Sequence, residues 1–206
     1  MTLANQTVLN VKRFFIVFLT IGFLFACVQI KRDYIVKENS LHSSSAPAWI
    51  FQSRAYKIDP SSETRQHRYF VSDAQNENQR LCLKLAEINA TKKIAVDTAQ
   101  EIIKRFEAKT KTKSDMTQTK SLLEKTIQIN LYDVTVAGEY WEKRDYRKEM
   151  GAKKDHTVYK CDTVVKIKKS ALIKAIEAYK AKAQKELKKT MKSAIDSYIA
   201  TLKAEK

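Results

Sequence analysis

The chain has 206 residues, with 39 lysines and arginines against 23 acids and a formal net charge of +16. Its 3 glycines and 2 prolines are too few for the tight turns of an all-β sandwich or barrel, or for a glycine-rich phosphate loop. His42, His67 and His156 form no paired zinc spacing, and no motif surrounds a serine. The composition therefore leaves long helices with a few strands, with no cofactor or metal site expected; a triad assembled across the fold, and so a periplasmic enzyme, stays as the rival to a non-catalytic module. The basic surplus favours anionic partners or else reflects a lysine-biased genome.

Lys12-Arg13 precedes an apolar run from Phe14 to Ala26 that stops at Cys27. A positive start, an apolar stretch and a small residue before the cut are the parts of an export signal. Leu24-Phe25-Ala26-Cys27 resembles the lipobox of bacterial lipoproteins. That resemblance implies a signal peptide over 1–26, cleavage before Cys27, and acylation of Cys27 with chains such as palmitate. An uncleaved single span is the alternative: Phe14 to Ile30 gives 17 uncharged residues, near the lower limit for a hydrocarbon core of about 30 Å. Basic pairs flank both ends, so the positive-inside bias does not choose. Either reading places the remaining chain in the cell envelope, facing the periplasm or beyond. Val28 stands where an Asp would hold an enteric lipoprotein in the inner membrane, which favours the outer one. Cleavage would leave 206 − 26 = 180 residues, enough for one domain with a core.

Residues 27–46 lack periodicity and end in Ser43-Ser44-Ser45-Ala46, which predicts a flexible tether. The folded part, 47–206, begins at Pro47-Ala48-Trp49-Ile50. Arg68 to Ser72 is a short β-prone run before the turn residues Asp73 to Asn76. Leu81, Leu85, Ile88, Ala95, Ala99, Ile102 and Phe106 then share one helical face, broken at Lys92. A polar loop over 109–115 and a shorter helix over 117–125 follow.

A strand is predicted from Leu131 to Lys143, where Gly138 marks a bulge or a close backbone approach. A polar hairpin, 144–155, leads to a second strand. There Tyr159, Cys161, Thr163, Val165 and Ile167 face inward, and Lys160, Asp162, Lys166 and Lys168 face water. The last stripe (Leu172, Ile176, Tyr179, Ala183, Leu187, Met191, Ala194, Tyr198, Leu202) predicts one helix of about 33 residues, roughly 50 Å long. Part of it would project and need a partner. The expected fold class is α+β: an antiparallel sheet of about three strands packed by a long helix, with a long C-terminal helix.

The order of these pieces resembles the Lpp-twenty-like family of bacterial envelope lipoproteins over residues 47–175. The residues that carry the likeness are the Pro47-Ala48-Trp49 start, Arg68-Tyr69-Phe70-Val71, the helix with Ala86, Ala90, Ile94 and Ala95, and Tyr140-Trp141-Glu142-Lys143 with the later Val158-Tyr159 strand. Two departures are Ser72-Asp73-Ala74, where relatives carry smaller residues, and the extended last helix. The resemblance implies a small α+β domain without enzymatic activity, on the cell surface or outer membrane. Some members associate with flagellar envelope structures, and lipoprotein regulators of cell-wall synthases have a related fold.

Three further groups carry chemistry. Cys82 and Cys161 fall on facing core surfaces, either as a disulfide or as two buried thiols. Tyr140 and Trp141 with Lys143, Arg144 and Arg147 offer a stacking and charged surface for a sugar or peptide stem, or else close the hydrophobic core. The lysine row Lys174, Lys180, Lys182, Lys185, Lys188, Lys189 and Lys192 is either a solvated face or one laid on anionic lipid. The expected partners are membrane lipid through Cys27, a second copy, or an envelope protein or cell-wall polymer, and not nucleic acid.

Overall fold

Period-2 runs of β-branched and aromatic residues make the sheet. A computed structural model describes residues 32–42, 45–51, 66–110, 116–183 and 189–204. Strand β2 (His67–Asn76) pairs antiparallel with β4 (His156–Lys168) in unbroken register, from His67↔Lys168 to Asn76↔Tyr159. Strand β3 (Val134–Tyr146) pairs with the other side of β4, and Gly151, at φ 110°, turns the hairpin between them. A left-handed φ of this kind is one that glycine adopts without a Cβ penalty.

Strand β1 (Tyr34–Asn39) completes the order β1-β3-β4-β2. It corrects the tether expected over 27–46. Its pairing runs from Tyr34↔Tyr146 to Asn39↔Glu142, and Tyr34 packs on Tyr146 with ring centroids 5.3 Å apart. Tyr34-Ile35-Val36 is β-prone, and the free edge at the end of β3 supplies the ladder.

Gly138 marks a bulge, and what crowds it are side chains, not another backbone. The register shifts between Val136 and Gly138. A Cβ built there would lie 3.1 Å from the Val164 Cγ1 and 3.7 Å from the Trp49 ring. Trp49 belongs to a 3-10 turn, Ala48–Phe51, which lies on the sheet face away from the helices and packs with Tyr69, Val71 and Val164.

That second covered face corrects the simple inward–outward reading of β4. Val164 is wholly buried and Asp162 is 6% exposed, although alternation pointed Asp162 at water.

Helix α1 (Gln79–Thr110) starts where the Asn78 side chain accepts from the Leu81 N–H at 3.1 Å, satisfying an N–H that the helix cannot. Its first half lies on the sheet through small residues, with Cys82, Ala86 and Cys161 forming one buried cluster. Asn89 and Lys93 donate to the main-chain oxygens of Asp73 (3.0 Å) and Val71 (2.9 Å) on β2. Its second half buries Ala95, Ala99, Ile102, Ile103 and Phe106 in the main core.

That core is shared with α2 (Thr117–Ile129), α3 (Lys169–Lys182) and α4 (Lys189–Ala204). Helix α4 runs beside the second half of α1: Arg105 donates to Ser197, and Lys109 donates to Ser193. Tyr198 sits between two guanidinium groups, Arg68 at 5.7 Å and Arg105 at 5.4 Å from its ring.

Two helix expectations are corrected. Leu81 and Ile88 are 49% and 39% exposed, although they share the stripe of Ala95 and Ile102. The cause is length. Helix α1 has 32 residues and α4 has 16, so the covering helix ends about 24 Å short. The predicted single C-terminal helix is two, α3 and α4, packed together and joined at Lys180–Asp196. Leu172, Ile176, Tyr179, Met191, Ala194, Tyr198 and Leu202 are all buried, so neither helix projects its stripe. Leu187 lies outside the described residues.

Candidate functional site

Pleating divides the four residues expected to form a ligand surface. Trp141 is opposite Cys161 and Lys143 opposite Tyr159, which puts both on the face that carries α1. Tyr140 and Arg144 are opposite Asp162 and Val158, on the other face. Successive strand residues point to opposite sides, so Tyr140-Trp141 and Lys143-Arg144 cannot converge on one ligand. The proposed single surface is corrected to two separate clusters.

On the helix face, Cys82 and Cys161 are disulfide-bonded across 79 positions of sequence. This resolves the alternatives left open by their spacing. Trp141 and Tyr159 pack against the bond, edge to face at 5.7 Å, and the Lys143 ammonium lies 6.0 Å from the Tyr159 ring. Nearby, the Asp145 carboxylate is buried. It accepts from the Thr157 hydroxyl at 3.1 Å and from Arg147 at 2.6 Å, with Lys37 at 3.7 Å. Burial acts to raise its pKa, but the hydrogen bonds from Thr157 and Arg147 and the charges of Arg147 and Lys37 outweigh it and hold the carboxyl below its ordinary range.

On the opposite face, Glu142 is the hub. Tyr140 donates its phenol to Glu142 at 2.9 Å, and the Arg144 guanidinium donates to the other carboxylate oxygen at 2.8 Å. Arg144 also lies 4.3 Å from the Tyr34 ring centroid, a cation–π distance. Burial, then the Glu142 charge, push the Tyr140 phenol far above its usual pKa. Burial likewise raises Asp162, against the pull of Lys160 at 2.7 Å. The row continues through Tyr146, stacked on His156 at 4.7 Å.

These groups answer one another. The arrangement braces a sheet: the Thr157 hydroxyl and the Tyr140 phenol are both committed to carboxylates, Asp145 and Glu142. Among the described residues, no three His, Cys, Asp or Glu side chains group as metal ligands.

The remaining expectations fall elsewhere. His42 follows β1 with φ 51°, and His67 begins β2, far from His156 in the register. In the lysine row, Lys174 and Lys182 are exposed on α3, as are Lys189 and Lys192 on α4. Lys180 pairs with Asp196. Lys185 and Lys188 lie outside the described residues, as do Cys27 and the apolar run before it. Among the described residues, no helix is long and apolar enough to cross a membrane. A groove of about 310 Å³ lies between α2 and α3, lined by Leu122, Ile129 and Ala178 with Lys125 and Lys182.

Sequence reasoning missed the Glu142 hub and β1. The alternation Tyr140, Glu142, Arg144, Tyr146 was the signal for the hub. No protein-family model matches this chain, and no curated protein matches it.

Proposed function

We propose that the chain is exported, acylated at Cys27 and held on the envelope membrane, the outer in preference to the inner, as a non-catalytic structural or interaction module. The observation that carries this reading is the Cys82–Cys161 bond. Disulfides persist outside the reducing cytoplasm. With those two thiols paired, Cys27 is the remaining cysteine of 3, and it stands where an export signal ends. The likeness to Lpp-twenty-like lipoproteins belongs to the same reading, supported by the pairing of Lys143 with Tyr159 and Arg144 with Val158. The acyl chains would contribute about 0.8 kcal/mol per buried CH₂. The sheet and its helices would then serve as the platform for a second copy or another envelope component.

Intact-mass measurement of protein from the membrane fraction tests the reading. The expected species starts at residue 27 and carries the added mass of acyl chains, and Cys27→Ser abolishes both changes. A membrane-bound wild-type chain that still starts at residue 1 and carries no acyl mass would replace the lipoprotein with a single-span anchor. Recovery of soluble protein with free Cys82 and Cys161 would overturn both.

A further inference from the structure

Acylation at Cys27, on which this inference rests, attaches the leash at a particular corner of the fold. The Arg147 N–H donates to the Asp33 main-chain oxygen at 3.1 Å, fixing Asp33 at the root of the β3–β4 hairpin. Six residues separate Cys27 from Asp33, and so short a segment spans at most about 20 Å even when fully extended. The hairpin tip, 147–155, is therefore held near the lipid surface, while the far end of β4 lies about 40 Å away along the strand.

The tip has the chemistry that such a surface selects. Lys148, Lys153 and Lys154 are exposed there, and Arg32 is exposed beside them. Over residues 32–33 and 147–155 the charge is +5 from Arg32, Arg147, Lys148, Lys153 and Lys154 and −3 from Asp33, Glu149 and Asp155, or +2. The acids are partly engaged within the fold: the Asp155 side chain accepts from the Lys148 N–H at 2.7 Å. Its Oδ1 thereby fixes the turn that presents the lysines. Arg147, by contrast, is paired with Asp145.

We infer that the β3–β4 hairpin tip rests on anionic lipid headgroups, with Lys148, Lys153 and Lys154 as the contacting residues. It sets the orientation of the anchored domain. The sheet stands on its hairpin end, and the end carrying the β4–α3 junction faces away from the bilayer.

The test uses the mature acylated protein in vesicles, with a fluorophore on Ala152→Cys and, separately, on Ser170→Cys at the far end of β4. In each case the introduced thiol is the free one, Cys27 being acylated and the other two bonded. The vesicles are phosphatidylcholine alone or with phosphatidylglycerol, and they contain a headgroup quencher. The expected result is strong quenching at 152 and little at 170, enhanced by phosphatidylglycerol and weakened by salt. Each lysine-to-glutamate reversal at 148, 153 or 154 should lower tip occupancy by about fivefold or more. Equal quenching at both sites, or indifference to phosphatidylglycerol, overturns the inference. Intact mass of the same samples separates the two failures. An unacylated chain removes the leash and the anchor together, whereas an acylated chain with an unquenched tip sinks the orientation alone.

Discussion

The two halves of helix α1 are built from the same kind of stripe and stabilised by different means. Toward its C-terminus, Ile102, Ile103 and Phe106 are buried in the core that α1 shares with the other helices, and apolar burial carries the load at about 25 cal/mol per Å². Toward its N-terminus the buried residues shrink to Cys82, Ala86 and Ala90. A covalent bond and two side-chain donors to β2 stand in for bulk. Small residues let the helix lie close to the sheet, but they remove little area from water. The contrast teaches that one continuous helix can belong to two structural regimes, one cooperative with the helical core and one dependent on oxidation.

Ile102→Ala should separate the regimes most sharply. Ile102 is wholly buried, and the cavity left behind should cost about 2–5 kcal/mol, read as a lowered midpoint in chemical denaturation. A loss under about 1 kcal/mol would mean that the helical core is looser than described. Next comes replacement of both Cys82 and Cys161 by alanine. The bond closes a loop across 79 positions, worth about 2–4 kcal/mol through the unfolded state. Hydrogen exchange should rise first at residues 80–92, with 100–108 still protected. Uniform loosening along α1 would erase the distinction between the halves. The smallest effect is expected from Leu81→Ser. This leucine lies on the stripe yet is exposed, so stability should change by no more than about 0.5 kcal/mol.

Much of the architecture was legible from period alone. The alternation through Tyr159, Cys161 and Val165 identifies the face of β4 that carries the helices, and a lone glycine in a strand marks the bulge. The class, an antiparallel sheet with a long helix across it, follows from such signals. What failed shares one cause: periodicity reports which side of an element is apolar, not whether anything long enough arrives to cover it. Leu81 and Ile88 have the spacing of core residues and no cover. The C-terminal stripe keeps its phase through Ala183 and Leu187, with neither glycine nor proline to mark an end, so the division into α3 and α4 had no local signature. It is favoured by packing, since two short helices side by side bury what one long helix would expose.

For the site, the sequence shows which residue types lie close together in the chain and not which way they point. Tyr140, Trp141, Lys143 and Arg144 formed a cluster in the linear text because aromatic and basic residues were adjacent. Adjacency in a strand is what sends side chains apart. The sequence leaves the disulfide open, because facing positions in two elements do not fix the register that brings two sulfurs together.

The side-chain donors on β2 have a consequence for assembly. Asn89 and Lys93 occupy main-chain oxygens along one margin of the sheet. An incoming strand on that margin would have to evict an amide and an ammonium before forming its own ladder. Neighbouring copies would therefore be discouraged from fusing into continuous ribbons through that side.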